Sequence, residues 1–110
     1  MEVSDHTKVM IGQYQSFQQQ LQNVMIQKES LKLQNLEIER ALEELHASKE
    51  NSAYKIVGAI MVNKSILNLK KELAETRESI DLKIKSLEKS EERLAERIKD
   101  LQTKIKEVIK

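Results

Sequence analysis

The chain has 110 residues, 39% hydrophobic, 34% charged and 3% aromatic, with no Cys, Trp or Pro and two Gly. That is the length of one domain without the bulky core fillers and turn residues that a sandwich, barrel or doubly wound sheet requires, which leaves long helices. Without Cys there are no disulfides, thiolate zinc sites, iron–sulfur clusters or cysteine nucleophiles, and a formal net charge of +1 offers no field for DNA, RNA or an acidic membrane.

No apolar run nears the roughly 18 residues of a membrane span, and residues 1–15 lack the basic start and apolar stretch of a secretion signal. The chain reads as soluble and cytoplasmic. Residues 1–50 carry net −3, residues 51–65 carry +2 and residues 66–110 carry +2. The first half is rich in Gln, but apolar residues interrupt the Gln at helical intervals, which indicates a Gln-coated helix.

The first predicted element is a helix over about residues 3–48. Alternating steps of four and three from Val3 reach Thr7, Met10, Tyr14, Phe17, Leu21, Val24, Lys28, Leu31, Asn35, Ile38, Leu42 and Leu45, and ten of the thirteen are apolar. At 39% hydrophobic, chance would fill about five. This is a heptad seam, with Lys28 and Asn35 expected to fix register or snorkel. Gly12 weakens the helix by about 1 kcal/mol relative to Ala and favours mobility near its end.

Asn51 to Lys64 reads NSAYKIVGAIMVNK, where the period changes and β-branched residues cluster about Gly58. Two strands, Tyr54–Val57 and Ile60–Asn63, fit a hairpin of about residues 53–63, with Gly58-Ala59 as a two-residue turn that wants Gly first. A third short helical segment is the competing reading. In the hairpin, Val57 and Ile60 face one way while Ile56 and Met61 face the other, so both faces are apolar.

The last element is a helix over about residues 66–110. The same stepping from Ile66 reaches Lys70, Leu73, Arg77, Ile80, Ile84, Leu87, Glu91, Leu94, Ile98, Leu101, Ile105 and Val108, again ten of thirteen apolar. Two helices of matched length joined by a short connection predict an antiparallel coiled-coil pair with the β-hairpin at the bend, facing residues having numbers that add to about 114. The fold class is therefore all-α coiled coil with a small β-hairpin, a single domain over 1–110.

A lone two-stranded hairpin is marginal in water, and one with two apolar faces must pair with something. Several hairpins combining into a β-barrel body would bury Tyr54, Ile56, Val57, Ile60 and Val62. Among apolar residues outside the seams, Leu67 and Leu69 are expected to pack on that body, and Leu33, Leu36 and Leu82 to widen the seam. At the far tip Val9, Met10, Ile11, Ile105, Val108 and Ile109 have few neighbours, so some should stay wet or open by fraying.

The runs Gln13-Tyr14-Gln15, Gln18-Gln19-Gln20-Leu21-Gln22, Gln27-Lys28, Ala41-Leu42-Glu43-Glu44-Leu45, Tyr54-Lys55 with Gly58 and Ile60, and Glu91-Glu92-Arg93-Leu94 together resemble the β-class subunit of prefoldin, of archaeal type, along essentially the whole chain. The single hairpin separates it from the α class, which carries two. The resemblance implies a hexamer of two α-class and four β-class subunits, whose hairpins build a double β-barrel bearing six coiled-coil tentacles. It implies an ATP-independent holdase that captures unfolded or nascent proteins at the tentacle tips and hands them to a group II chaperonin. Carried over by position, barrel formation falls on Tyr54 to Asn63, Gly58 included, and client contact on Val9, Met10, Ile11, Leu101, Ile105, Val108 and Ile109. The junction Asn63 to Asn68 is more apolar than the charged one the resemblance implies.

Mobile tips with small apolar clusters bind weakly one by one and firmly together, and Met10 with the aliphatic residues suits varied shapes. No cofactor, metal or nucleotide is expected, since Gly12 and Gly58 stand alone and no phosphate loop exists. No catalytic residues are expected either: His6 and His46 fall at opposite ends of a helix, and Glu43-Glu44 and Glu91-Glu92 lie on charged faces without a pocket. A basic-zipper DNA reader fails for want of a Lys/Arg block, and a surface-lying membrane helix for want of net positive charge. The rival reading is a structural coiled-coil spacer or adaptor that dimerises and tethers partners; it explains both seams and leaves the hairpin unexplained.

Overall fold

The computed structural model describes residues 4–109. Its elements are α1 (Asp5–Ala47), β1 (Ser52–Val57), β2 (Ile60–Ser65) and α2 (Ile66–Ile109). Two long helices with one antiparallel hairpin between them is the predicted fold class, and Val3 and Lys110 lie outside the described residues. The chain divides into two compact units, one of residues up to 30 with those from 84 onward, the other of residues 31–83.

In the unit that carries the termini, Ser4 caps α1: its Oγ accepts the Thr7 N–H at 3.1 Å and its carbonyl accepts the Lys8 N–H at 3.0 Å. The Thr7 N–H is a donor the first helical turn cannot satisfy by itself, and the Lys8 N–H makes the first bond of the helical ladder. The expected seam closes here, with Thr7, Met10, Ile84, Leu94 and Leu101 buried and Tyr14, Phe17, Leu21, Val24, Leu87, Ile98 and Ile105 half-buried. Apolar residues at three- and four-residue spacing bury one stripe of each helix, and this sets the pairing. Val108, expected in the seam, is exposed because α2 ends there with little of α1 to cover it. The Arg97 guanidinium lies 5.6 Å from the centre of the Phe17 ring, within cation–π range.

In the other unit the buried seam residues are Asn35, Ile66, Leu69 and Ile80. Leu69 is a correction: expected to pack on an oligomeric body, it is only 7% exposed within the chain itself. Leu67, expected to pack similarly, is 79% exposed here. Leu33, Leu36 and Leu82 do not widen the seam; all three are exposed. Leu33 and Leu82 each fall two residues from a seam position on either side, about 200° round the helix, so they point outward.

The polar seam residues Lys28, Asn35, Arg77 and Glu91 find partners across the helices. Lys28 Nζ donates to Glu91 Oε2 at 2.6 Å in the first unit. In the second, Asn35 Nδ2 donates to Asp81 Oδ1 at 2.7 Å, and exposed Arg77 reaches Glu39 at 2.7 Å. These pairs run antiparallel, a few residues beyond the expected facing rule.

The hairpin extends further than the strands read from sequence. Its register pairs Val57 with Ile60, Ile56 with Met61, Lys55 with Val62, Tyr54 with Asn63, Ala53 with Lys64 and Ser52 with Ser65. Gly58 has φ +59° and no other residue has positive φ among the described ones, the pattern of a two-residue turn with the left-handed position first. The Ile66 N–H donates to the Asn51 carbonyl at 3.0 Å and closes the hairpin's base. Ser65 ends β2 and caps α2 at once, its Oγ accepting the Asn68 N–H at 3.2 Å, so no loop separates strand from helix.

Candidate assembly and client-contact sites

Alternation along paired strands gives the hairpin two faces. One carries Ala53, Lys55, Val57, Ile60, Val62 and Lys64; the other carries Tyr54, Ile56, Met61 and Asn63. On the second face Tyr54, Ile56 and Met61 are 65%, 74% and 65% exposed, and on the first Val57, Ile60 and Val62 are exposed as well. Gly58 at the turn is exposed too. The predicted interface residues thus sit together, on both faces of one ribbon. Met61 belongs with them by its pairing to Ile56.

Sequence reasoning did not single out what holds the ribbon. Glu72 on α2 takes the Lys64 ammonium at 2.6 Å and the Lys55 ammonium at 3.2 Å. The two lysines come from different strands and share a face because Lys64 stands two residues beyond Val62, the partner of Lys55. Hydrogen bonds from Lys64 first and Lys55 second hold the Glu72 carboxyl below its ordinary value of 4.5. The readable signal was two lysines flanking the apolar strand centres at diagonal positions, with an acid two turns into the next helix. Beside this clasp a cleft of about 640 Å³ is floored by Ala41, Leu45, Ala53, Leu69 and Leu73.

The expected client-contact residues separate into three kinds. Val9 and Val108 are 57% and 54% exposed, and Ile109 is also open. Ile11 and Ile105 are half-buried and line one groove with Tyr14 and the amides of Gln15, Gln18 and Gln102. Met10 and Leu101 are buried in the helix seam, so a client reaches them only when the pair opens.

His6 and His46 are exposed, and among the described residues no cluster of His, Asp or Glu is arranged to hold a metal ion. No helix among them is long and apolar enough to cross a membrane.

A family profile described as "Prefoldin subunit" matches residues 8–110. The chain belongs to the prefoldin family. Curated relatives include the prefoldin subunit beta of Thermococcus onnurineus (strain NA1), 33% identical over 98% of this chain and 94% of the relative. The prefoldin subunit beta of Archaeoglobus fulgidus is 35% identical over the same shares. Among solved structures, the crystal structure of the prefoldin beta subunit from Thermococcus strain KS-1 is similar with a TM-score of 0.85 and 32% identity, covering 96% of this chain and 94% of that one. The resemblance to archaeal β-class prefoldin is therefore borne out, and with it the role of a chaperone subunit that assembles with other prefoldin subunits. A spacer or adaptor is not favoured.

Proposed function

We propose that this chain is one of four β-class subunits in a hexamer with two α-class subunits, acting in the cytoplasm as a holdase without ATP and without catalysis. Residues 1–110 act as a single domain in it. The hairpin residues Tyr54, Ile56, Val57, Gly58, Ile60 and Val62 form the barrel interface. Val9, Met10, Ile11, Leu101, Ile105, Val108 and Ile109 contact unfolded or nascent clients, which pass to a group II chaperonin.

The observation that carries this reading is the hairpin with aliphatic and aromatic side chains exposed on both of its faces. A two-stranded ribbon cannot bury either face by itself, and its open edges invite further strands. Assembly removes both liabilities, which a plain spacer would leave in place.

The test is the mass of the mixed α and β species by sedimentation, followed by suppression of client aggregation without nucleotide. Ile56→Asp should abolish the mixed species by placing an unpaired charge where assembly buries apolar surface. A hexamer of normal mass from that variant would move the interface elsewhere.

A further inference from the structure

We propose that the groove of Ile11 and Ile105 holds an extended client segment by its backbone as well as its side chains, with the side-chain amides of Gln15, Gln18 and Gln102 pairing to peptide groups that the client leaves unsatisfied. The inference rests on the client-contact reading above and deepens it by naming residues that tell an unfolded segment from a folded surface.

The charge pattern has a gap over α1. From Val9 to Gln27 no Asp, Glu, Lys or Arg occurs, in a chain that is 34% charged, and seven residues of that run are Gln. A helix surface that needs only to stay wet is ordinarily coated with both signs of charge, as α2 is with Lys99, Asp100, Lys104 and Glu107. A primary amide keeps a surface wet without choosing a sign, and it offers two donors and an acceptor together. Those are the functions a peptide group has.

The amides also stand in the right place. Gln15 and Gln18 on α1 and Gln102 on α2 border one groove with Ile11, Tyr14 and Ile105. Gln18 Nε2 donates to the Tyr14 hydroxyl at 3.0 Å, which leaves the Tyr14 O–H to donate and the Gln18 side-chain carbonyl to accept. Lys106 supplies the one charge in the lining, and no carboxylate joins it. Its ammonium only donates, so it suits a carbonyl oxygen and turns basic segments away.

An apolar floor with an amide rim selects by folding state. A folded domain has already paired most of its backbone groups, so against this groove it leaves the glutamines bound to water. An unfolded segment carries aliphatic side chains and unpaired N–H and C=O groups together, and it satisfies floor and rim at once. Its sequence matters little, because every residue except proline brings the same donor and acceptor.

The test uses the full-length chain with its isoleucine methyls labelled, and two short peptides of Val, Leu and Ser with identical side chains, one having alternate backbone amides replaced by esters. Both should shift the Ile11 and Ile105 methyl signals, and the all-amide peptide should bind about fivefold more tightly, the factor that one net hydrogen bond gives. Gln15→Met with Gln102→Met, at two exposed helix positions, keeps side-chain length and helix preference and removes the amides. This variant should keep its helix content by circular dichroism, bind the all-amide peptide about fivefold more weakly than the parent and lose most of the preference over the ester.

Capture by apolar area alone has the opposite sign, since Met adds apolar surface. Tighter or unchanged binding by the Met variant, or equal affinity of the parent for amide and ester, overturns backbone recognition and leaves the client-contact reading standing. No shift at Ile11 or Ile105 with either peptide overturns that reading and the inference with it.

Discussion

Asn35 is 8% exposed, and while its Nδ2 donates to Asp81, its Oδ1 has no partner. A buried acceptor left unmet carries its full desolvation cost, yet a lone Asn in a heptad seam disfavours every register that would pair it with aliphatics. Asn35→Leu should therefore raise stability by about 1–2 kcal/mol in urea titration, with a broader set of pairings seen as extra amide resonances. A loss of stability would mean that the Asp81 bond outweighs the unmet acceptor. Lys28 is a different case, since its side chain is 15% exposed and bonded to Glu91. The hydrogen bond to Glu91 and the nearby charges of Glu91, Glu88 and Glu29 outweigh burial and hold its ammonium above the ordinary 10.5. A raised folded value means that the stabilisation is complete below pH 10.5 and lost as pH climbs through the folded value. Glu91→Gln should lower the melting temperature throughout the neutral region, and its difference from the parent should narrow as pH climbs through the folded value.

At the scale of elements, Glu72 ties both strands of the hairpin to α2. Because Lys64 and Lys55 depress this carboxyl, the clasp is at full strength above pH 4.5 and fades as pH falls through the depressed value. Glu72→Gln should raise hydrogen exchange at the amides of β1 and β2 at neutral pH, to the level that acid produces in the parent, while the helix amides stay protected. Equal protection in variant and parent would mean that backbone pairing alone fixes the ribbon. The helices and turn were legible in the sequence because each rests on local chemistry: three- and four-residue apolar spacing for α1 and α2, and a glycine at the left-handed position for Gly58. The hairpin's lower rungs, Ser52 with Ser65 and Ala53 with Lys64, were not legible, because small and polar residues carry no strand signal of their own. They pair because Ile66 N–H and the Glu72 clasp hold the base closed. Leu69 escaped because it lies one residue from the regular stepping, yet it stands three residues after buried Ile66 and four before half-buried Leu73, a spacing that keeps it on the same helix face.

For the whole molecule, the question is where apolar surface remains once both helices have paired. The hairpin faces hold one share and the residues near the chain ends another, and we assign the first to assembly and the second to clients. Val9→Ser with Val108→Ser, at two exposed positions, should leave the hexamer's mass unchanged and reduce suppression of client aggregation several-fold, with each site weak and the loss compounded over several subunits. Undiminished suppression would shift client contact to the Ile11 and Ile105 groove or to another surface. The near-neutral net charge adds that salt should alter client capture little, because what is exchanged there is apolar area and not counterions.

The direct passage from Ser65 at the end of β2 to Ile66 at the start of α2 makes this junction a phase reference for everything downstream. One residue inserted there would turn the α2 stripe by about 100° and set Leu73, Ile80 and Ile84 out of step with α1, whereas a residue inserted at Gly58-Ala59 lengthens a turn and moves no helix. Length changes in a chain of this design are tolerated at the far end of the ribbon and barred at its root, so the root is where a reading frame of side-chain faces, and not only of codons, has to be kept.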